Sequence, residues 1–130
     1  MQIKVGALLN SKEVLYILGN TKGLSAHIAY RIYRNVELIN KELEIYEKTR
    51  IKLLESLAKK DDDGNPIIKK TDSQEFYDLP DENLKKFNES MFELINESVD
   101  LDLKKISLDD IDTIGLTPLQ ISLIEFILEV

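Results

Sequence analysis

The chain has 130 residues and a mass of 15.0 kDa, with 43% apolar and 32% charged residues, a formal net charge of -7 and a sequence pI near 4.8. Absence of cysteine excludes a disulfide framework, a thiolate nucleophile and a Cys-based zinc site, and one histidine, His27, leaves too few groups for most His-ligated metals or a Ser-His-Asp triad. No apolar run nears the roughly 20 residues of a membrane span, and Met1-Gln2-Ile3-Lys4 does not begin a signal peptide, so a single cytoplasmic domain over 1–130 is expected.

Gln2-Ile3-Lys4-Val5 alternates polar and apolar side chains and predicts a short strand that Gly6 ends. Asn10 or Ser11 is expected to cap a brief helix bearing Val14, Leu15, Ile17 and Leu18, with Gly19-Asn20 closing it in a left-handed conformation. From Ser25 to about Lys59 there is neither Pro nor Gly, and Ile32, Val36, Ile39, Leu43, Tyr46, Arg50, Leu53 and Leu57 recur at 4-3-4-3-4-3-4. This is a heptad seam on one long helix of roughly 50 Å, supported by Glu37–Lys41, Glu44–Lys48 and Glu55–Lys59 in the favourable order. Arg50 is its polar interruption, for which Glu47, Glu89 or Glu93 are partners in reach, or which snorkels outward.

Residues 60–80 read as a loop, with Asp63-Gly64 and Asn65-Pro66 as turns and Ile67-Ile68 either as one arm of a small hairpin or docked on the long helix. A calcium loop placed on Asp61, Asp63 and Gly64 fails, because Lys59 and Lys70 stand where carboxylates are needed. Asp81 is expected to cap a second helix to about Ser98 with the seam Leu84, Phe87, Met91 and Leu94, completing a helical hairpin over 25–98. At about half the length of the first helix, it leaves part of the long seam without cover from the chain itself, so homo-oligomerisation through that seam is open.

Val99 to Leu103 alternates as a strand, and Ile3 and Val5 are its expected partners. Thr117-Pro118-Leu119-Gln120 opens a terminal helix over 118–128 that is apolar on nearly every face, either buried or an interface. The fold class is therefore mostly α with a small β element: a long helical hairpin closed by a two-stranded ribbon and a C-terminal helix.

Charge is uneven along the chain. Residues 1–60 carry 11 basic and 6 acidic side chains, a net of +5, and residues 61–130 carry 6 and 18, a net of -12. Packing of one half on the other is the plainer account, and a distinct partner for each face is the functional one. Two sets of partner-binding candidates follow. Tyr30, Arg31, Tyr33 and Arg34 form an aromatic-basic cluster of the residue types that anchor interfaces. Against this, the tyrosines can flank the seam and cover the terminal helix while the arginines face the acidic half. Asp100, Asp102, Asp109, Asp110 and Asp112 form an acidic patch that either is a solvated face or occupies a basic groove on another protein. No Gly-rich phosphate loop, nucleophile elbow or metal-binding helix motif is present, so no catalytic residue, cofactor or metal is assigned. An acidic chain without a recognition motif disfavours nucleic acid, which ranks last among the readings.

Several short runs carry a resemblance. Lys4-Val5 with the short Leu/Ile helix, Ala29-Tyr30-Arg31-Ile32 with Arg34-Asn35, and Lys60 to Pro66 belong to it, as do Phe87-Asn88 with Glu93-Leu94. It continues through Val99 to Leu103, Lys105-Ile106, Leu108-Asp109-Asp110 and Leu116-Thr117-Pro118. In this order they resemble a family of small phage and prophage proteins of Gram-positive bacteria that carries a domain-of-unknown-function label. The resemblance implies a phage context and expression in the bacterial cytoplasm, and supplies no catalytic residues. The expectation is a non-enzymatic interaction protein that binds and modulates a host or defence protein through its acidic surface or the Arg/Tyr cluster. The alternative is a virion morphogenesis protein, either an assembly chaperone or a minor structural subunit.

Overall fold

The computed structural model describes residues 1–129, and the fold is α+β with helix predominating. Two compact units are distinguishable: the first combines Met1–Glu44 with the segment from Asn96 onward, and the second is Ile45–Ile95. Among the described residues no helix is long and apolar enough to cross a membrane.

In the first unit, β1 (Gln2–Lys4) runs directly into α1 (Val5–Gly19). The expected cap at Asn10 or Ser11 is replaced by a longer helix, because the Val5 amide donates to the Glu97 carbonyl at 2.9 Å and needs no side-chain cap. Ser11 lies buried within α1, its hydroxyl donating to the Leu8 carbonyl at 2.7 Å. At the other end no residue takes a left-handed conformation: Asn20 has φ -107°. The Asn20 amide side chain and the Thr21 hydroxyl close the helix instead, each donating at 2.8 Å to the carbonyls of Tyr16 and Ile17. The left-handed position falls on Gly23, at φ 83°, where the chain turns toward α2.

α2 (Ala26–Leu57) is the predicted long helix, started by Ser25, whose hydroxyl accepts from the Ile28 amide. It begins in the first unit and continues into the second. Within the first unit Ile28, Ile32, Ile39 and Leu43 are buried against Leu8, Val14, Leu15 and Leu18 of α1 and against Leu103, Ile106, Ile124 and Ile127 from the C-terminal segment. At about 25 cal/mol per Å² of apolar surface removed from water, this cluster is the main source of stability.

The expected strand pairing is present for Ile3 but not for Val5, because the strand ends at Lys4 and Val5 and Gly6 begin α1. β4 (Ser98–Asp100) lies antiparallel to β1, with Ile3 opposite Val99. It is shorter than the predicted 99–103, because β1 offers only three residues and the chain beyond Asp100 is held by side chains of α2 instead. The terminal helix is also shorter than 118–128. α5 (Pro118–Ser122) begins with the expected Thr117–Gln120 capping box, and a 3-10 turn follows at Glu125–Ile127. The chain then extends so that Leu128 bridges Ile106: the Ile106 amide donates to Ile127 and the Glu129 amide to Ile106, both at 2.8 Å. A continuous helix would forgo both bonds. Between these elements, α4 (Leu108–Ile111) is a single turn capped by Ser107, and Gly115 ends the following 3-10 turn at φ 76°.

The second unit holds the end of α2, a small hairpin of β2 (Ile68–Lys70) and β3 (Glu75–Tyr77), and α3 (Asp81–Ile95). Ile68 is thus an arm of a hairpin, paired with Tyr77. The 61–65 turn is organised by Asp61, whose carboxylate accepts from the amides of Asp63 and Asn65. α3 starts at Asp81, with the Leu84 amide bonded to the Pro80 carbonyl, and stops at Ile95 rather than Ser98 because the next residues turn into β4. Arg50 is held locally by Glu47 through a two-pronged pair at 3.0 and 2.5 Å.

Candidate interaction site

α1 and the first half of α2 leave an apolar groove of about 410 Å³ between them. Helical periodicity builds its walls. Lys12, Tyr16 and Asn20 recur every four residues along α1, and Ala29, Tyr33, Val36 and Asn40 recur at 4-3-4 along α2. Leu15, Leu18 and Ile32 form the floor. Gly19 also lines the groove, and an added Cβ there would meet Val36 Cγ2 at 3.9 Å, an ordinary contact.

Two tyrosines stand at the rim. Tyr16 is 73% exposed and Tyr33 63% exposed, and Tyr30, one turn before Tyr33, is 60% exposed. The Tyr33 hydroxyl donates to Glu37 at 3.1 Å, which steers the ring and raises the phenol above its ordinary pKa, keeping it a neutral donor. Lys12 is the charged residue lining the groove. This combination of an apolar floor, rigid aromatic edges and amide groups suits binding.

The candidate residues occupy different surroundings. Tyr33 lines the groove and Tyr30 is exposed beside it, so both tyrosines are accessible rather than covering the terminal helix. Arg31 has a structural bond, donating from Nη1 to the Lys105 carbonyl at 2.7 Å. Arg34 lies beside Tyr30 and Asp102: the Tyr30 hydroxyl is the larger influence holding its guanidinium charged, and Nε is buried without a hydrogen-bond partner. The five aspartates do not converge. Asp100 meets the Met1 amine at 2.7 Å, Asp102 reaches Lys104 at 3.7 Å, and Asp110 completes the Ser107 capping box. Asp109 and Asp112 are exposed in successive helical turns, and among the described residues no three His, Asp or Glu side chains are placed to hold a metal.

Two residues escaped the sequence reading. Tyr16 was hidden inside an apolar run, Val14-Leu15-Tyr16-Ile17-Leu18, and only its four-residue spacing from Lys12 and Asn20 marks it as solvent-facing. Asn35 is fully buried, and its amide group both donates to and accepts from the Lys104 backbone, at 2.7 Å each. Its signal was a polar residue flanked by seam positions Ile32 and Ile39. Comparison with protein-family models, curated proteins and solved structures returns no match.

Proposed function

We propose that this chain is a non-enzymatic interaction protein that takes a segment of another protein into the groove between α1 and α2. The observation that carries this reading is the pair of largely exposed tyrosines, Tyr16 and Tyr33, standing over an apolar floor of Leu15, Leu18 and Ile32. Tyrosine contributes a large, stiff contact surface at low entropic cost, and apolar clefts with such edges concentrate binding energy. The segment that fits has two or three apolar side chains for the floor and hydrogen-bonding groups for Tyr33, Asn20 and Asn40. The resemblance to phage and prophage proteins supports, as the partner in this proposal, a host or defence protein whose activity is modulated by occupancy.

The groove supports this reading better than the acidic segment does. The unit containing the groove carries 8 basic and 12 acidic residues, a net of -4, because its two sequence segments bring opposite charges together. Its aspartates have separate local contacts.

The test is affinity purification from infected cells with the wild type and with a Tyr16→Ala/Tyr33→Ala variant of unchanged helical circular dichroism. One stoichiometric host protein should be retained by the wild type, and its affinity should fall about 10- to 100-fold in the variant, the range expected when aromatic anchors are removed. Equal retention by the variant sinks the groove, and recovery of virion proteins alone shifts the reading to morphogenesis.

A further inference from the structure

The second unit is incomplete as a packed structure. Across Ile45–Ile95 only Ala58 is buried among the described residues, and α3 buries none of its side chains fully. Meanwhile a groove of about 640 Å³ runs between the end of α2, the β2–β3 hairpin and α3. Ile51, Phe76 and Leu84 line it and are 36%, 45% and 47% exposed, with Leu54, Leu79 and Phe87 half-buried beneath them. Units this small are commonly completed by disulfides, a structural metal or association. The chain has no cysteine, and no metal-holding group of side chains exists among the described residues, whereas an exposed apolar groove is what association requires.

Charge at the rim selects the occupant. Arg50 and Lys69 stand with Glu75 and Asp78 around the apolar centre, two cations and two anions. A strongly acidic or basic partner meets no net attraction there. A two-fold interface, by contrast, requires a patch complementary to itself, and an apolar centre ringed by both signs meets that condition. Arg50 is already paired with Glu47 and Lys69 with Asp78, so covering the rim strands no lone charge. We propose that the occupant is a second copy of this chain, and that two copies associate through the groove lined by Ile51, Phe76 and Leu84.

Sedimentation over a concentration series tests this in the full chain. The wild type should pass from monomer to dimer in the micromolar range, while Phe76→Glu/Leu84→Glu should remain monomeric with unchanged helical circular dichroism. Should that variant fail to fold, Phe76→Cys in this cysteine-free chain gives a second readout: its maleimide labelling rate should fall several-fold as concentration rises. A matched Tyr16→Cys variant should label at a constant rate. The Tyr16→Ala/Tyr33→Ala variant should still dimerise, which separates this proposal from the partner groove of the first unit. A wild type that stays monomeric throughout, a dimer indifferent to Phe76→Glu/Leu84→Glu, or concentration-independent labelling at Phe76→Cys overturns it.

Discussion

Asn35 shows how a single polar side chain can organise a segment far away in sequence. Its amide oxygen accepts from the Lys104 amide and its amide nitrogen donates to the Lys104 carbonyl, so the side chain takes the place of a neighbouring strand. Arg31, one turn earlier on the same helix, holds the next carbonyl, that of Lys105. Together they fasten the stretch that carries Leu103 and Ile106 into the core. Replacing Asn35 with Ala leaves two backbone groups without partners, each costing about 1–3 kcal/mol when buried, so the variant should lose about 3 kcal/mol in urea denaturation. An Asn35→Leu variant fills the space without restoring either bond and should be no better. Loss below about 1 kcal/mol in both variants would mean that water replaces the amide.

At the scale of elements, two glycines should respond in opposite directions to the same substitution. Gly19 ends α1 in a helical conformation, and an added methyl reaches only ordinary contact distance from Val36, so Gly19→Ala should stabilise by about 0.4–1 kcal/mol through the unfolded chain. Gly115 has open space around it but sits at φ 76°, and Gly115→Ala should cost about 1 kcal/mol or more in backbone strain. Thermal unfolding of the two variants measures the contrast; equal signs would refute it. The termini of elements follow the same logic of backbone satisfaction. α1 needs no capping side chain because Glu97 accepts its first amide, whereas α4 and α5, short and partly exposed, each rely on a complete capping box.

For the molecule as a whole, burial divides unequally between the two units. The continuous core lies in the first, and the seam residues of α2 that are buried there, Ile32, Ile39 and Leu43, give way to half-buried Tyr46, Leu53 and Leu57 in the second. Amide protection should follow. In hydrogen exchange, α1 and Ile28–Leu43 should open only with global unfolding, while α3 and the β2–β3 hairpin should exchange through smaller openings at low protein concentration. Uniform protection along both units would contradict this division. The charge polarity of the sequence does not persist at this scale: a net of +5 and -12 in the two sequence halves becomes -4 and -3 in the two units, because the chain ends fold into one unit. What the sequence determined alone is the local content. The long helix, its heptad seam, the cap at Ser25, the capping box at Thr117 and the strand character of Gln2–Lys4 and Ser98–Asp100 all arise from periodicity, from residues within a turn of one another, or from simple alternation. Tertiary structure alone decided where α1 begins, why β4 stops at Asp100 and why the C-terminal segment leaves its helix, since each depends on a backbone bond to a distant residue. It also placed Tyr16 opposite Tyr33. That juxtaposition comes from the packing of two helices, which no spacing within either one contains.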